Sequence, residues 1–199
     1  MARDRASRPE ARPLRLFVAA DVPVEVRNAL ATSIGDWRER FPGGRWVPPE
    51  NWHMTLKFLG RTWPRLVDWV LETVRVVTAE QVPFDTSVTG LGSFPSKRRA
   101  RVLWAGLDDG ADRFAALAGA LDAALAREFE TEKRAFTPHL TIARFDPPAV
   151  VEGELPAPPP AASTPFAVDR LVVYRSHLQR PVPRYEPILE APMLGRRVG

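Results

Sequence analysis

Two short segments of the chain repeat one arrangement of polar and apolar residues. They are His53-Met54-Thr55-Leu56 and His139-Leu140-Thr141-Ile142. Side chains alternate across a β-strand, so each segment, if extended, places a histidine and a threonine on one face and two apolar residues on the other. The apolar face must be covered by a core, whereas the polar face is left for water, a cleft or a ligand. The pattern therefore predicts two similar strands that each present the same polar pair.

Helices and strands are predicted to alternate along the rest of the chain. Apolar residues recur at helical spacing over 26–41, 66–77 and 114–129. Strands are predicted at 15–20, 52–59, 84–91, 101–107, 139–145, 166–174 and 185–191. The proline- and alanine-rich stretch 146–165 is predicted to be a mobile loop without regular structure. Each histidine strand follows a helix of similar length, which indicates two related lobes of α/β or α+β class.

Composition restricts the classes of protein and of site. The 199 residues include no cysteine, which excludes disulfides, thiolate metal sites and a cysteine nucleophile, and fits a cytoplasmic protein. No apolar run is long enough to span a membrane. The net charge of +4 comes mostly from the arginines before residue 16, so it is weak support for a nucleic-acid-coating surface. We expect a disordered basic tail over 1–13, one domain over 14–192 and a C-terminal tail over 193–199.

The two histidine–threonine pairs have a chemistry of their own if both face one cleft. Free imidazole has a pKa near ~6.5, so one ring can accept a proton while the other donates one around neutral pH. That combination suits general acid–base cleavage of a phosphodiester, and the hydroxyls can donate hydrogen bonds to phosphoryl oxygens. The third histidine, His177, is predicted to be an exposed loop residue. Because HExxH, Walker, GxGxxG and Gly-x-Ser-x-Gly motifs are absent, no metal, cofactor or serine nucleophile is predicted.

Further candidates surround the two pairs. Strict alternation places Lys57 on the His53 face and Arg144 on the face opposite His139, so Arg144 reaches a ligand only if its strand bulges, and is otherwise a sheet-edge arginine. Phe94 and Tyr185 are either base-stacking or packing aromatics. A basic loop that could contact RNA phosphates contains Lys97, Arg98, Arg99 and Arg101.

Four segments carry a resemblance to a known family. They are RLFVAADVP, HMTLKFLG, GLGSFPSKRRARVLWAGL and PHLTIARF. Together they resemble the two-histidine phosphoesterase superfamily, and within it the RNA 2′,3′-cyclic phosphodiesterases, also called 2′-5′ RNA ligases. The resemblance runs from about residue 14 to 189. It implies an α+β, bilobal fold in which two βα lobes with mixed or antiparallel sheets, related by a pseudo-twofold axis, surround a central cleft.

The resemblance also implies a mechanism and a partner. His139 would accept a proton from the attacking water, and His53 would donate one to the departing 3′-oxygen, leaving a 2′-phosphate. Thr55, Thr141 and Arg144 would bind the phosphate. The partner would be RNA with a 2′,3′-cyclic phosphate end, and the reverse reaction would join RNA ends through a 2′-5′ linkage. We expect a metal-independent, cytoplasmic monomer without cofactors that does not bind a membrane.

Three alternatives remain open from the sequence. The same chemistry would serve a superfamily enzyme that acts on a small cyclic nucleotide or on a 2′-5′ oligonucleotide. A non-catalytic RNA-binding protein could keep the cleft, although both motifs are intact here. A zinc hydrolase built on the three histidines is a distant third.

Overall fold

The structure is a computed structural model, and it describes residues 12–151, 155, 157–180 and 182–196. Most of the predicted N-terminal tail, and residues 197–199, lie outside the described residues. The helices are α1 (Val24–Ser33), α2 (Gly35–Arg40), α3 (Pro64–Ala79) and α4 (Arg113–Leu125). The strands are β1 (Leu14–Asp21), β2 (Arg45–Trp46), β3 (His53–Thr62), β4 (Phe84–Thr86), β5 (Val88–Phe94), β6 (Ala100–Leu107), β7 (His139–Ala149), β8 (Phe166–Val168), β9 (Arg170–His177) and β10 (Arg184–Pro192).

One large antiparallel sheet organises the molecule. Its strands lie in the order β10-β9-β1-β3-β7-β6-β5, with β2 on the edge of β7, and β4 and β8 form a separate pair. The two histidine strands, β3 and β7, are neighbours in the middle, and their antiparallel bridge joins Met54 to Leu140. β1 pairs with β3 as β6 pairs with β7, so the two halves are related by a pseudo-twofold axis between the histidine strands.

Helices cover one face of the sheet and leave the other open. α3 packs against β9 and β10, and α4 packs against β3 and α3. The apolar members of both motifs point into this core, because Met54, Leu56, Leu140 and Ile142 are all buried. The predicted α+β bilobal class is confirmed, and its sheets are antiparallel. No helix in the described ranges is long and apolar enough to cross a bilayer.

Two predicted elements differ from the observed ones. The single helix expected over 26–41 breaks at Ile34, where the backbone leaves helical geometry. Gly35 lowers helix propensity there, and the Ser33 hydroxyl donates to the Leu30 carbonyl, which competes with the helical ladder. The buried stripe nevertheless continues through Trp37 in α2.

The stretch 146–165 is the larger correction. β7 continues through Pro147 and Pro148 to Ala149, which pairs with Ala100, and the Val151 amide donates to the Lys97 carbonyl. Val151 and Ala162 are buried. Prolines lack only the N–H, so a strand accepts them where that group would not face a partner. The prediction of no regular structure was therefore wrong for residues 146–149, which extend β7, whereas the other described residues of this stretch form neither helix nor strand.

The chain after β10 also contacts the fold. Met193 is buried, and the amides of Leu194 and Gly195 donate to carbonyls at the end of α3 and just after it. Residues 193–195, assigned to a tail from sequence, thus hold the outer strand of the first lobe to that end of α3.

Candidate active site

Each histidine strand carries a β-bulge at the same place. In β3 the partners of β1 step from Thr55 to Lys57 and leave Leu56 as the extra residue. In β7 the partners of β6 step from Thr141 to Ala143 and leave Ile142 as the extra residue. Both extra residues are the fourth of their tetrapeptide. A bulge breaks the strict alternation of side chains. The residues that follow each tetrapeptide therefore lie on the face opposite to the one that alternation predicts.

The bulge in β3 exchanges the predicted places of Lys57 and Phe58. Lys57 is only 6% exposed and turns toward the helices, where its ammonium pairs with Asp122 of α4. Phe58 is 68% exposed and lies near Phe17 on the open face. A second bulge follows at Leu59, and Gly60 after it has a φ of 61°, a conformation that glycine adopts without strain. The prediction that Lys57 shares the His53 face was wrong.

The bulge in β7 brings Arg144 to the open face that presents His53 and His139. Two residues separate Thr141 from Arg144, and both of them, Ile142 and Ala143, are buried, whereas Arg144 is exposed. The Arg144 charge lowers the pKa of both His53 and His139. From the sequence, Arg144 could reach a ligand only if its strand bulged, and the strand does bulge there. Arg144 and Phe58 occupy pseudo-equivalent positions, one cationic and one aromatic.

The bridge between β3 and β7 fixes how the motifs face each other. An antiparallel register through Met54 and Leu140 places His53 opposite Thr141 and His139 opposite Thr55. The two histidines are then diagonal neighbours on one face, a relation that separates Cβ atoms by about 7–8 Å in a regular ladder. One phosphate group would fit between such imidazoles.

His139 is held by a backbone carbonyl and two aromatic rings. Its Nδ1 lies 2.7 Å from the Thr137 carbonyl oxygen. A carbonyl can only accept, so Nδ1 carries the proton and Nε2 keeps its lone pair when the ring is neutral. Phe94 meets the imidazole edge-on at 5.3 Å between ring centres, and Trp104 lies beyond at 6.4 Å. This tautomer can accept a proton at Nε2.

His53 lies among aromatic rings that are closer than those around His139. Its ring stacks on Phe17 at 4.7 Å between centres and meets Tyr185 edge-on at 5.2 Å. The Asn51 backbone, two residues before His53, raises the pKa of this ring, as the Thr137 backbone raises that of His139. The Tyr174 hydroxyl, near the same ring, donates to Asp21.

Burial controls the protonation of both histidines. It lowers the pKa of His53 to about 4, although the Asn51 backbone and the Asp21 carboxylate partly oppose it, and Arg144 lowers it further. Burial likewise lowers the pKa of His139, against the Thr137 carbonyl and together with Arg144. Both rings are therefore neutral at pH 7. An anion between them would oppose the Arg144 charge and favour protonation.

The threonine hydroxyls remain available for a ligand. Thr55 and Thr141 are half-buried on the open face, and within the described chain neither hydroxyl is hydrogen-bonded to protein. Two free donors beside two imidazoles and one guanidinium make a site for a phosphoryl group.

The lowered pKa of His53 makes stability depend on pH. An unfolded chain protonates this histidine near its ordinary pKa of 6.5, whereas the folded chain does so only near 4. Between these values the folded state binds fewer protons, so the free energy of unfolding should fall as the pH falls through that window. We expect a lower urea midpoint at about pH 5 than at about pH 7.5, with a weaker dependence in His53→Gln. An unchanged dependence in that variant would contradict the assignment.

A cavity of about 630 Å³ adjoins His53 on the side away from His139. Among its lining residues are Asp21, Arg27, Asn51, Tyr174 and Tyr185. It extends from the imidazole toward β9 and β10 and does not include the second motif. This cavity is thus a side chamber of the first lobe, next to one of the two histidines.

The remaining predicted residues lie at different distances from the motifs. Phe94 contacts the ring of His139, and Tyr185 contacts the ring of His53. His177 was predicted to be an exposed loop residue, but it ends β9, is half-buried and is bonded to Glu186 at 2.5 Å. Arg98 and Arg99 form an exposed turn after Phe94. In the described residues no three His, Cys, Asp or Glu side chains gather as a metal site would require.

Sequence reasoning missed the residues that orient the histidines. Asn51 and Thr137 contribute backbone groups, which have no residue-type signature, and only their shared position two residues before each histidine could have indicated them. Phe17 and Trp104 are aromatic strand residues that look like ordinary core positions. Their role follows from strand order, which the sequence does not give.

Comparison with known proteins gives a family and several enzymes. Residues 22–104 and 106–185 match the model of the family described as LigT like phosphoesterase. The chain is 34% identical over 185 residues to an RNA 2′,3′-cyclic phosphodiesterase of Geobacillus stearothermophilus, covering 90% of this chain and 57% of that protein. It is 30% identical to the enzyme of the same name from Thermotoga maritima, covering 92% and 97%. The chain thus spans little more than half of the first relative and nearly all of the second.

Solved structures agree with this grouping. A protein of Thermus thermophilus superposes with a TM-score of 0.78 at 28% identity, covering 92% of this chain and 99% of that one. Escherichia coli LigT complexed with 3′-AMP superposes with a TM-score of 0.74 at 28% identity, covering 91% and 98%.

Proposed function

Because the chain belongs to the LigT-like phosphoesterase family, we propose that it hydrolyses the 2′,3′-cyclic phosphodiester at the 3′ end of an RNA strand and leaves a 2′-phosphate. The observation that most directly supports the proposal is the register of β3 on β7, in which two histidine–threonine pairs lie side by side on one face, with Arg144 exposed in β7 after the second pair. The names of the relatives supply the substrate class.

Each side chain has a role in the proposed reaction. His139 accepts a proton at Nε2 from a water that attacks phosphorus, and the P–O3′ bond breaks as His53 gives its proton to the departing 3′-oxygen. The attacking oxygen stays on the 2′-phosphate. Thr55 and Thr141 donate hydrogen bonds to the non-bridging oxygens, and Arg144 neutralises their charge. The same steps with an RNA 5′-hydroxyl in place of water would form a 2′-5′ linkage, because the 5′-oxygen then bonds to phosphorus as the P–O3′ bond breaks.

The substrate itself would prepare His53 for this role. A general acid must be protonated, yet burial lowers the pKa of His53 to about 4. The negative phosphodiester removes part of the cause, since it offsets the Arg144 charge and can accept a hydrogen bond from the imidazolium. We propose that the bound phosphodiester raises the pKa of His53, so that substrate binding and protonation of His53 are coupled. We also propose that the enzyme is a cytoplasmic monomer that needs no metal.

An oligonucleotide that ends in a 2′,3′-cyclic phosphate tests the proposal. We expect the protein to convert it to a 2′-phosphate end with EDTA present, as read by phosphorus NMR and by resistance of the product to a 3′-specific phosphatase. A 3′-phosphate product would mean that the 2′-oxygen, and not the 3′-oxygen, is the leaving group. Loss of turnover in EDTA would favour the metal alternative. No turnover, with tight binding of the oligonucleotide, would favour the RNA-binding alternative.

Phe58 is expected to stack on a base of the substrate. It is 68% exposed on the catalytic face, at the position pseudo-equivalent to Arg144. Stacking on a base contributes about 1–3 kcal/mol, so Phe58→Ala should raise KM for a cyclic-phosphate oligonucleotide by about 10-fold while kcat changes little. Leu178 is as exposed but lies at the end of β9, so Leu178→Ala is the matched control. Equal effects of the two substitutions would contradict this role.

A further inference from the structure

The short strand β2 places a second arginine beside Arg144. Arg45 pairs directly with Arg144 in the antiparallel register of β2 on β7. Directly opposed residues of such a pair have Cβ atoms about 4.5–5.5 Å apart and point to the same face. Trp46 and Ala143, the next pair, point to the opposite face, where Ala143 is buried. Both guanidinium groups therefore extend from the open face of the sheet.

The two arginines lack acidic partners. Within the described residues neither Arg45 nor Arg144 forms an ion pair with a carboxylate. The next carboxylate along β7, Asp146, lies 3.6 Å from Arg101 instead. Like charges directly opposite each other destabilise a sheet, so this arrangement favours an anion between or beside the guanidiniums.

The two arginines are at different distances from the histidines. Arg144 lowers the pKa of both imidazoles, whereas Arg45 is not among the groups that shift either one. Arg45 also lies past the bridge between the histidine strands, since β2 pairs with β7 at Ala143 and Arg144 and the bridge to β3 is at Leu140. One cation thus faces the reacting phosphate, and the other lies beyond it.

We infer that Arg45 binds the internucleotide phosphate on the 5′ side of the terminal nucleotide, which is the next phosphate of a strand that ends in a 2′,3′-cyclic phosphate. The inference rests on the proposed function and adds a preference to it. A mononucleotide substrate has no second phosphate, so Arg45 makes the site selective for RNA strands over small cyclic nucleotides.

A pair of substrates isolates this contact. Cytidine 2′,3′-cyclic phosphate has the reacting group alone, and a trinucleotide that ends in the same group adds the neighbouring phosphates. We expect Arg45→Gln to lower kcat/KM for the trinucleotide by about 10-fold, the size of one charge-assisted contact, and to leave the mononucleotide unchanged. The slope of log(kcat/KM) against log salt should fall by about 0.7 for the trinucleotide, and Arg45→Lys should restore it.

The sheet offers a matched control at its other end. Arg61 pairs directly with Arg15 across β3 and β1, and both are exposed, so this is the same cross-strand arginine pair away from the motifs. Arg61→Gln should affect neither substrate. Three results would each overturn the inference. The first is an equal loss of kcat/KM with Arg61→Gln. The others are an equal loss on both substrates with Arg45→Gln, and no loss on the trinucleotide with Arg45→Gln.

A binding measurement distinguishes a failure of this inference from a failure of the proposed reaction. Anisotropy of a labelled trinucleotide with a 2′-phosphate end needs no turnover, and Arg45→Gln should weaken its binding by about 10-fold. If the protein binds this strand through Arg45 but opens no cyclic phosphate, the proposed function fails and the Arg45 contact stands. If the protein opens the cyclic phosphate but its affinity for the trinucleotide does not depend on Arg45, the Arg45 contact fails and the proposed function stands.

Discussion

Replacing His139 with alanine should lower kcat for opening the cyclic phosphate by about 10²–10⁴-fold, the usual contribution of a positioned general base. Its Nδ1 is bonded to the Thr137 carbonyl, which leaves Nε2 as the only acceptor of the neutral ring. KM should change much less, since phosphate binding is assigned to the threonines and Arg144. Initial rates with a cyclic-phosphate oligonucleotide measure both values.

His53→Ala should cause a loss of similar size that depends on the leaving group. A general acid matters only when the departing oxygen needs a proton, so a 4-nitrophenyl phosphodiester should recover much of the lost rate in His53→Ala and none in His139→Ala. The third histidine is the control, because His177 is bonded to Glu186 at the end of β9 and should be replaceable without loss. Full activity of both single variants would overturn the assignment, and rescue of His139→Ala alone would exchange the two roles.

The tetrapeptides themselves could be predicted because they obey simple alternation. From His53 to Leu56 and from His139 to Ile142 the polar residues face the open side and the apolar ones are buried. Burial of alternate residues is a local requirement that any half-covered strand must satisfy, so the sequence shows it directly. The family model that matches residues 22–104 and 106–185 confirms the resemblance built on these segments.

Beyond the tetrapeptides the same reasoning failed, because a bulge leaves little trace in one sequence. Leu56 and Ile142 look like ordinary strand residues, yet each is the extra residue that changes the face of all that follows. A charged residue at Lys57 and an aromatic one at Phe58 suggested an exposed lysine and a buried phenylalanine. Tertiary partners decided otherwise, since α4 supplies a carboxylate to Lys57 and the cleft leaves Phe58 open.

Strand order was equally out of reach. That Arg45 lies beside Arg144 depends on β2 joining the edge of β7, across almost a hundred residues of chain. Neither residue carries a local signal of this contact. Pairing between distant strands is set by the packing of whole lobes, so the second arginine could be found only in the folded molecule.

Lys57→Met should destabilise the fold by about 3–5 kcal/mol, because it leaves the Asp122 carboxylate without its buried partner. The Lys57 ammonium donates to Asp122 and to the Glu130 carbonyl, and the side chains of the two ionised residues are only 6% and 16% exposed. The second oxygen of Asp122 accepts from the Glu132 amide at 2.7 Å. This ion pair therefore joins the His53 strand to α4 and to the segment that leads to His139.

Urea unfolding of three variants distinguishes the buried pair from a general effect of charge. Lys57→Met should show the full loss, and adding Asp122→Asn should recover part of it, because no uncompensated charge then remains buried. Lys133 is exposed in the same segment, so Lys133→Met should stay within about 0.5 kcal/mol of wild type. A loss below about 1 kcal/mol in Lys57→Met is what a solvent-screened surface pair would give, and it would place the lysine back on the open face where alternation had put it.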